Sequence, residues 1–288
     1  MRYFPPSELV LNDKGQVYHL ALSPDQLADT IILVGDQDRV DTVTSQFDAI
    51  EFRNQHREFV CSTGLYQGKR LTVLSTGIGT DNIDIVVNEL DALCNIDLDT
   101  RKEKAIKRSL KLIRIGTCGI LQADIPIHSY LLSAFAVGID NVAHFYEVTP
   151  SASVALLQQA FQDQINLPVH IIPYVAEAAK ELVNQFQSDL VYPGITVTSS
   201  GFYGPQGRSL RIPLQRNDLN ESLSAFRFND QRILNFEMES SALFALGSAL
   251  GHQCVTLCLG IANRPANTFS EDYREAMNNM IRFVLDRV

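Results

Sequence analysis

Two arginines lie in or directly after short apolar segments, where a charged side chain is uncommon. Arg39 closes the motif GDQDR at 35–39, which follows TIILV, and Arg114 lies inside LIRIGTCG at 112–119. A glycine at a strand end lets the backbone approach a ligand, and an arginine four residues later can reach over that turn. An unpartnered buried guanidinium costs several kcal/mol, so Arg114 should meet a carboxylate or a bound anion. The turn at 35–39 suits a phosphate. The alternatives are a surface position for Arg39 and a structural ion pair for Arg114.

Two other motifs place glycines and carboxylates where a strand gives way to a helix. The motif STGIGTDN at 75–82 lacks the third glycine and the later acidic residue of a dinucleotide fingerprint, so we reject that interpretation. Its backbone N–H groups near a helix start still favour an anion. In NFEMESSALFAL at 235–246, Glu237 and Glu239 share one side of an extended chain. Such a pair favours hydroxyls, as on ribose, or a cation; the alternative for Glu239 is a helix N-terminal residue.

Short β-branched segments alternate with segments of helical period, which predicts an α/β fold with a largely parallel or mixed sheet. The predicted strands are Thr30–Gly35, Leu71–Thr76, Leu112–Thr117, Gly194–Ser200, Leu234–Glu237 and Cys254–Ala262. The predicted helices are Asp84–Leu93, Ser153–Phe161, Ala176–Phe186, Glu239–Leu250 and Glu271–Val288. Because no repeat, linker or low-complexity stretch divides the chain, we expect one domain. The segment 97–111 carries six basic and three acidic residues, and we interpret it as an insertion. It is either a solvated surface helix or a partner-binding patch.

The composition excludes several functional classes. The 288 residues carry a formal charge of -9 with a pI near 5.1, which disfavours nucleic acid and anionic membranes as partners. The longest apolar stretch, 130–139, is far shorter than the ~20 residues of a membrane span, and no targeting segment is visible, so we expect a cytoplasmic protein. The five cysteines lie in apolar segments, where reduced thiols are expected. Motifs of serine hydrolases, zinc proteases and CxxC metal sites are absent from the sequence.

These motifs, in this order and together with VYHLALSPDQL at 17–27, QHREF at 55–59 and GFYGPQGR at 201–208, resemble the nucleoside phosphorylase family, and its uridine phosphorylases in particular. The resemblance implies a single domain at 17–288 behind an N-terminal extension at 1–16. It also implies a mixed central sheet flanked by helices, with sites at the interfaces of a homo-oligomer. The oligomer would be at least a dimer, or a hexamer built as a trimer of dimers.

The resemblance also implies a binding role for individual residues. It assigns phosphate to Gly35, Arg39, Arg114 and Thr117, joined by Arg57 of a neighbouring subunit, and ribose to Met238, Glu239 and a neighbouring His19. It assigns the base to Phe202, Gln206, Arg208 and Glu237. An amide and a guanidinium match the pyrimidine edge of uracil. Purine-specific hexamers have an aspartate near the end of the last strand, where this chain has Ile261 and Ala262.

The implied reaction is attack of inorganic phosphate on the anomeric carbon, with Arg114, Gln206 and Arg208 as catalytic residues. It needs neither a metal nor an organic cofactor. Some family members hold a structural monovalent cation through positions matched by Glu58 and Ile78, but the usual serine is Asn82 in this chain. Rival interpretations are a nucleosidase, a purine-accepting phosphorylase, and a catalytically silent nucleoside-binding protein. The preference among uridine, deoxyuridine and thymidine is left open by the sequence.

Overall fold

One large mixed sheet organises the chain. A computed structural model describes residues 2–288. Its strands are β1 (Thr30–Val34), β2 (Ala49–His56), β3 (Phe59–Tyr66), β4 (Lys69–Ser75), β5 (Ile96–Asp97), β6 (Lys102–Glu103), β7 (Lys111–Ile120), β8 (Tyr130–Gly138), β9 (Tyr174–Glu177), β10 (Val191–Thr198), β11 (Arg227–Phe228), β12 (Gln231–Glu237), β13 (Gln253–Asn263) and β14 (Thr268–Phe269). All except β5 and β6 join the large sheet, in the order β11-β12-β10-β8-β13-β7-β1-β4-β3-β2, with β9 on β8 and β14 on β13.

The strands that carry the predicted site motifs meet at one edge of this sheet. Strands β4, β1, β7 and β13 run parallel to one another in that order. Strands β8, β10 and β12 run the other way, and the end of β12 pairs antiparallel with the end of β7. This last pairing closes β7, β13, β8, β10 and β12 into a small ring. The carboxyl ends of β1, β4, β7 and β12 are thereby brought together.

Seven α-helices in the described part of the chain cover the sheet. They are α1 (Gln37–Thr44), α2 (Thr80–Asn95), α3 (Ala152–Gln164), α4 (Lys180–Phe186), α5 (Leu219–Ala225), α6 (Ser240–Ala249) and α7 (Arg274–Leu285). The central strands are near-continuous apolar runs because helices cover both faces of the sheet, and β1 and β7 are buried along almost their whole length. Helix α6 is apolar on nearly all sides and is buried over its first eight residues. None of the helices formed by residues 2–288 combines the length and apolarity needed to cross a membrane.

The predicted α/β architecture with a mixed central sheet and flanking helices is confirmed, and two local predictions are wrong. The segment Ala176–Phe186 is not one helix, because its start belongs to β9 and pairs with β8 before α4 begins at Lys180. The pairing overrides the helical preference of the alanines. The five cysteines are buried free thiols, as expected.

The basic segment 97–111 is not a surface helix. It forms the β5–β6 hairpin and an extended stretch leading into β7. Lys104 Nζ donates to the carbonyl of Cys94 at 2.9 Å, so it caps the carboxyl end of α2. The N-terminal segment packs on the same hairpin, where Phe4 N donates to the Arg101 carbonyl and Arg101 donates back to the Leu9 carbonyl. Several of the charges are therefore used within the chain.

Candidate active site

A cavity of about 920 Å³ opens at the edge where β1, β4, β7 and β12 end. The strand-end turns supply its walls, together with the loop that follows β10 and the last residues of β13. Ten of the predicted site residues line it: Gly35, Arg39, Arg114, Thr117, Phe202, Gln206, Arg208, Glu237, Met238 and Glu239. Segments scattered over two thirds of the sequence thus converge on one site.

Arg39 is a cation without an anionic partner in this cavity. It lies in the first turn of α1, which Asp36 caps by accepting a hydrogen bond from Asp38 N at 3.1 Å. No carboxylate among residues 2–288 comes within ion-pairing distance of its guanidinium. Burial lowers the pKa of Arg39 and the nearby charge of Arg114 adds to that effect, although Tyr273 and the Asp36 carboxylate partly oppose it. An anion that entered the cavity would relieve both costs.

Arg114 meets carboxylates, as its place in an apolar strand predicts. Its Nη2 donates to Glu239 Oε2, and its Nη1 lies 3.4 Å from Glu237 Oε2. Burial lowers the pKa of Arg114, but the charges of Glu239 and Glu237 outweigh burial and raise it overall. The cation therefore separates the two like charges. It can still take part in binding a phosphate, because the pair forms one wall of the same cavity.

The two glutamates differ in how their oxygens are used. Glu237 accepts hydrogen bonds from Thr198 Oγ1, from Glu239 N at 3.0 Å and from Ser240 N, so its carboxylate caps the amino end of α6. Burial raises the pKa of Glu237, although Arg114 opposes that shift. Because these donors saturate both oxygens, the predicted contact of Glu237 with the base is not supported by its hydrogen bonds. Glu239 keeps more freedom: apart from Arg114 and its neighbour's N–H, it accepts only from Gly79 N, at 2.8 Å.

Gly79 belongs to the glycine-rich turn between β4 and α2. Its φ of +100° is a conformation that side chains rarely adopt, which explains a glycine at this point. The anion that the turn binds is the Glu239 carboxylate of the same chain. The predicted preference of this turn for an anion is thus satisfied internally.

The loop after β10 presents an amide and a guanidinium side by side. Arg208 Nη1 donates to Gln206 Oε1 and to the Phe202 carbonyl, both at 2.6 Å. The guanidinium carbon lies 3.8 Å from the centre of the Phe202 ring, within the range of a cation–π interaction. Burial and the charge of Arg264 lower the pKa of Arg208 to about 10. Gln206 is almost fully buried, so its amide is fixed with Nε2 free to donate.

His19 and Arg57 do not line this cavity. His19 Nδ1 lies 2.7 Å from Glu89 Oε1, and its carbonyl accepts from His56 Nδ1. Arg57 occupies the exposed turn between β2 and β3, and its guanidinium lies 5.4 Å from the centre of the Tyr18 ring. Tyr18 also packs edge-on against His19. The two residues that the resemblance assigns to a neighbouring site therefore form one exposed surface, which we call the Tyr18 surface, outside their own cavity.

A family model described as the Phosphorylase superfamily matches residues 29–288. The chain belongs to this superfamily. A uridine phosphorylase of Thermococcus kodakarensis is 29% identical over 274 residues, covering 93% of this chain and 85% of the relative. A DeoD-type purine nucleoside phosphorylase of Brevibacillus brevis is 27% identical over 278 residues, covering 93% and 97%. The solved structure of a Trypanosoma brucei nucleoside phosphorylase that shows uridine phosphorylase activity superposes with a TM-score of 0.89 at 29% identity, covering 97% and 98%.

These similarities confirm the phosphorylase family and its fold. They include both pyrimidine and purine enzymes, so they do not decide the substrate, which depends on the groups that line the cavity. Arg264 lies beside this site and was not predicted from the sequence. It follows the apolar strand β13 much as Arg39 follows β1, which is the signal that could have identified it. Its Nη2 donates to the Gly207 carbonyl at 3.2 Å, which ties β13 to the loop that carries Arg208.

Two of the residues that match the family's cation site, Asn82 and Ile78, contact each other. Asn82 Nδ2 is a nitrogen donor and lies 3.4 Å from the Ile78 carbonyl oxygen, which a cation would need. A Cβ at Gly77 would come within 2.4 Å of the same nitrogen, so the amide is held in a tight space. Residues 2–288 contain no cluster of three or more histidine, cysteine, aspartate or glutamate side chains arranged to hold a metal ion.

Proposed function

We propose that this protein cleaves a pyrimidine nucleoside, uridine being the best fit, with inorganic phosphate to give the free base and ribose 1-phosphate. One observation carries the proposal. A single cavity holds both an unpaired cation, Arg39, and the Gln206–Arg208 pair seated on an aromatic ring. A nucleosidase, which uses water, has no need of an unpaired cation beside the ribose subsite.

Phosphate binds at the corner formed by Gly35, Arg39, Arg114 and Thr117. The backbone and the Thr117 hydroxyl donate hydrogen bonds to its oxygens, and the two guanidiniums supply charge. Arg114 orients the phosphate while it keeps its contact with Glu239. One phosphate oxygen then faces the anomeric carbon as the nucleophile.

The charges of this corner argue for a second subunit. Within one chain, Glu237 and Glu239 flank Arg114, and their two negative charges equal the positive charges of Arg114 and the unpaired Arg39. The corner is therefore close to neutral before a multiply charged phosphate arrives. A further cation would balance the phosphate. Arg57 on the Tyr18 surface is such a cation, exposed and held outside its own cavity. We infer an active unit of at least two chains in which Arg57 and His19 complete the partner's site.

Glu239 and Met238 bind the ribose. Glu239 accepts hydrogen bonds from the ribose hydroxyls, and the half-buried Met238 packs against the sugar. As the bond from the anomeric carbon to the base breaks, positive charge develops on the ribose. Glu239 and the phosphate stabilise this charge, and phosphate attack completes the substitution with inversion.

The base leaves as an anion and is stabilised by Arg208 and Gln206. Arg208 and the Gln206 amide donate to the uracil carbonyl oxygens while Phe202 packs on the ring. Ile261 and Ala262 line the same cavity and supply no carboxylate to protonate a purine. We therefore expect inosine and adenosine to be poor substrates.

A nucleoside panel tests the proposal. Uridine, deoxyuridine, thymidine, inosine and adenosine are each incubated with the protein, with and without phosphate, and base release is measured by chromatography. The proposal expects uracil release that requires phosphate. Equal rates with and without phosphate would indicate a nucleosidase, faster turnover of inosine a purine enzyme, and no turnover of any nucleoside a silent binding protein.

A further inference from the structure

A buried aspartate lies behind the candidate active site without an ion-pair partner among the described residues. Asp140 follows β8 and is 7% exposed. Its carboxylate accepts from Tyr174 Oη at 2.8 and 2.9 Å, from Ser241 Oγ at 2.7 Å and from Val142 N at 2.9 Å. No basic side chain among residues 2–288 pairs with it. Charged carboxylates are rarely buried without a cation, so this arrangement requires a physical reason.

The start of α6 provides part of that reason. Ser241 is the second residue of this helix, whose amino end carries partial positive charge and can stabilise a nearby carboxylate. Gly138 leaves the space for this contact, since a Cβ at that position would lie 2.5 Å from the Tyr174 ring and 2.8 Å from Asp140 Oδ2. The backbone is thus shaped to let Tyr174 and Asp140 meet.

The hydrogen bonds run from this aspartate to the active-site glutamates. Tyr174 Oη and Ser241 Oγ lie 2.9 Å apart, and Ser241 N donates to Thr198 Oγ1 at 3.0 Å. Thr198 in turn donates to Glu237 Oε1, and Glu237 accepts the N–H of Glu239. Ser241 is two residues beyond Glu239, so whatever fixes Ser241 also limits the movement of the Glu239 backbone.

We propose that Asp140, Tyr174 and Ser241 form a positioning network that holds the first turn of α6 and thereby orients the Glu239 carboxylate toward the ribose hydroxyls. The inference rests on the proposed function, in which Glu239 binds ribose. None of the three residues lines the cavity, so they act through Glu239 and not on the substrate. Outer residues that orient a binding group commonly change activity about 10-fold to 100-fold when altered.

The test compares Tyr174→Phe with Tyr66→Phe. Both variants delete a phenol that donates to an aspartate, but Tyr66 bonds to Asp286 at the carboxyl end of α7, and none of its hydrogen bonds reaches α6. Asp140→Asn and Ser241→Ala alter the same network and are used as well, in case Tyr174→Phe fails to fold. For each, thermal unfolding, KM for phosphate, and kcat/KM for uridine and 2′-deoxyuridine are measured.

We expect Tyr174→Phe and Asp140→Asn to lower kcat/KM for uridine by about 10-fold and for 2′-deoxyuridine by less than about 3-fold. Deoxyuridine lacks one hydroxyl that Glu239 accepts from, so it loses less when Glu239 is misplaced. KM for phosphate should stay within about 2-fold, and Tyr66→Phe should keep the wild-type ratio between the two nucleosides.

Two results would overturn the inference. If the folded variants keep the wild-type ratio between uridine and deoxyuridine, the network supports only stability. If Tyr66→Phe changes the ratio as much as Tyr174→Phe, the effect is not specific to the start of α6. A wild-type protein that releases no base from either nucleoside would refute the proposed function itself, which is a distinct outcome.

Discussion

Replacing Arg208 with alanine should nearly abolish activity and leave the protein folded. The side chain contributes two hydrogen bonds, to the Phe202 carbonyl and to Gln206 Oε1, and one cation–π contact with the Phe202 ring. For a half-buried residue these are together worth about 1–3 kcal/mol. Domains are stable by about 5–15 kcal/mol, so the folded fraction should remain close to complete.

The effect on catalysis should be larger than this loss. Arg208 donates to a base that becomes anionic only as the glycosidic bond breaks, so its contribution is concentrated in the transition state. Removing such a donor costs about 10²–10³ in rate. The variant also removes the hydrogen bond that holds the Gln206 side chain, because Arg208 is the donor to Gln206 Oε1. We therefore expect kcat/KM for uridine to fall by about 10²–10³.

The assay is steady-state uracil release at saturating phosphate, with thermal unfolding measured on the same preparations. Arg211→Ala is the matched control, because Arg211 is exposed on the same loop and does not line the site cavity. It should retain wild-type activity. If Arg208→Ala keeps full activity, or if it loses activity only because it unfolds, the assignment of the base subsite to this loop is refuted.

Three further perturbations address the phosphate and ribose subsites. Arg39→Ala should raise KM for phosphate by about 10-fold to 100-fold without lowering Tm, because Arg39 has no ion pair to lose; an unchanged KM would place phosphate elsewhere. Glu239→Gln should lower kcat/KM for uridine at least about 10-fold. It should also destabilise the fold by about 1–3 kcal/mol, because Arg114 loses a buried charged partner. A variant with full activity and an unchanged unfolding temperature would contradict both the ribose contact and the ion pair. Arg57→Ala and Arg114→Ala should each be nearly inactive, yet unfolding and refolding them together should return about one quarter of wild-type activity, because about half of the dimers are mixed and each has one intact site. Verified heterodimers as inactive as their parents would show that Arg57 does not act across the interface.

Much of this site could be predicted from the sequence because several of its charged residues occur at positions where charge is uncommon. Arg114 is a cation in an apolar strand, and Glu237 and Glu239 are like charges on one side of the chain. A buried cation needs an anion, and two neighbouring carboxylates need a cation. In the structure Arg114 is the ion-pair partner of both glutamates. The strands β1, β7 and β13 were predictable for a related reason, since strands covered on both faces are continuous apolar runs.

Features that depend on tertiary contacts could not be predicted. The sequence around Ala176 favours a helix, and only the pairing with β8 turns its start into a strand. The basic segment at 97–111 gave no sign of a hairpin, because its ordering comes from Lys104 at the end of α2 and from the N-terminal segment packed against it. Nor could the network around Asp140 be recognised, since Tyr174 and Ser241 lie 34 and 101 residues away in the chain.

The fate of the phosphate distinguishes phosphorolysis from hydrolysis most directly. Uridine and inorganic phosphate are incubated with the enzyme, and the products are measured by phosphorus NMR and by chromatography of the base. We predict that ribose 1-phosphate and uracil appear in equal amounts and that the ribose 1-phosphate has the α configuration that inversion requires. No uracil should form when phosphate is omitted. Uracil released together with free ribose, at a rate independent of phosphate, would contradict it.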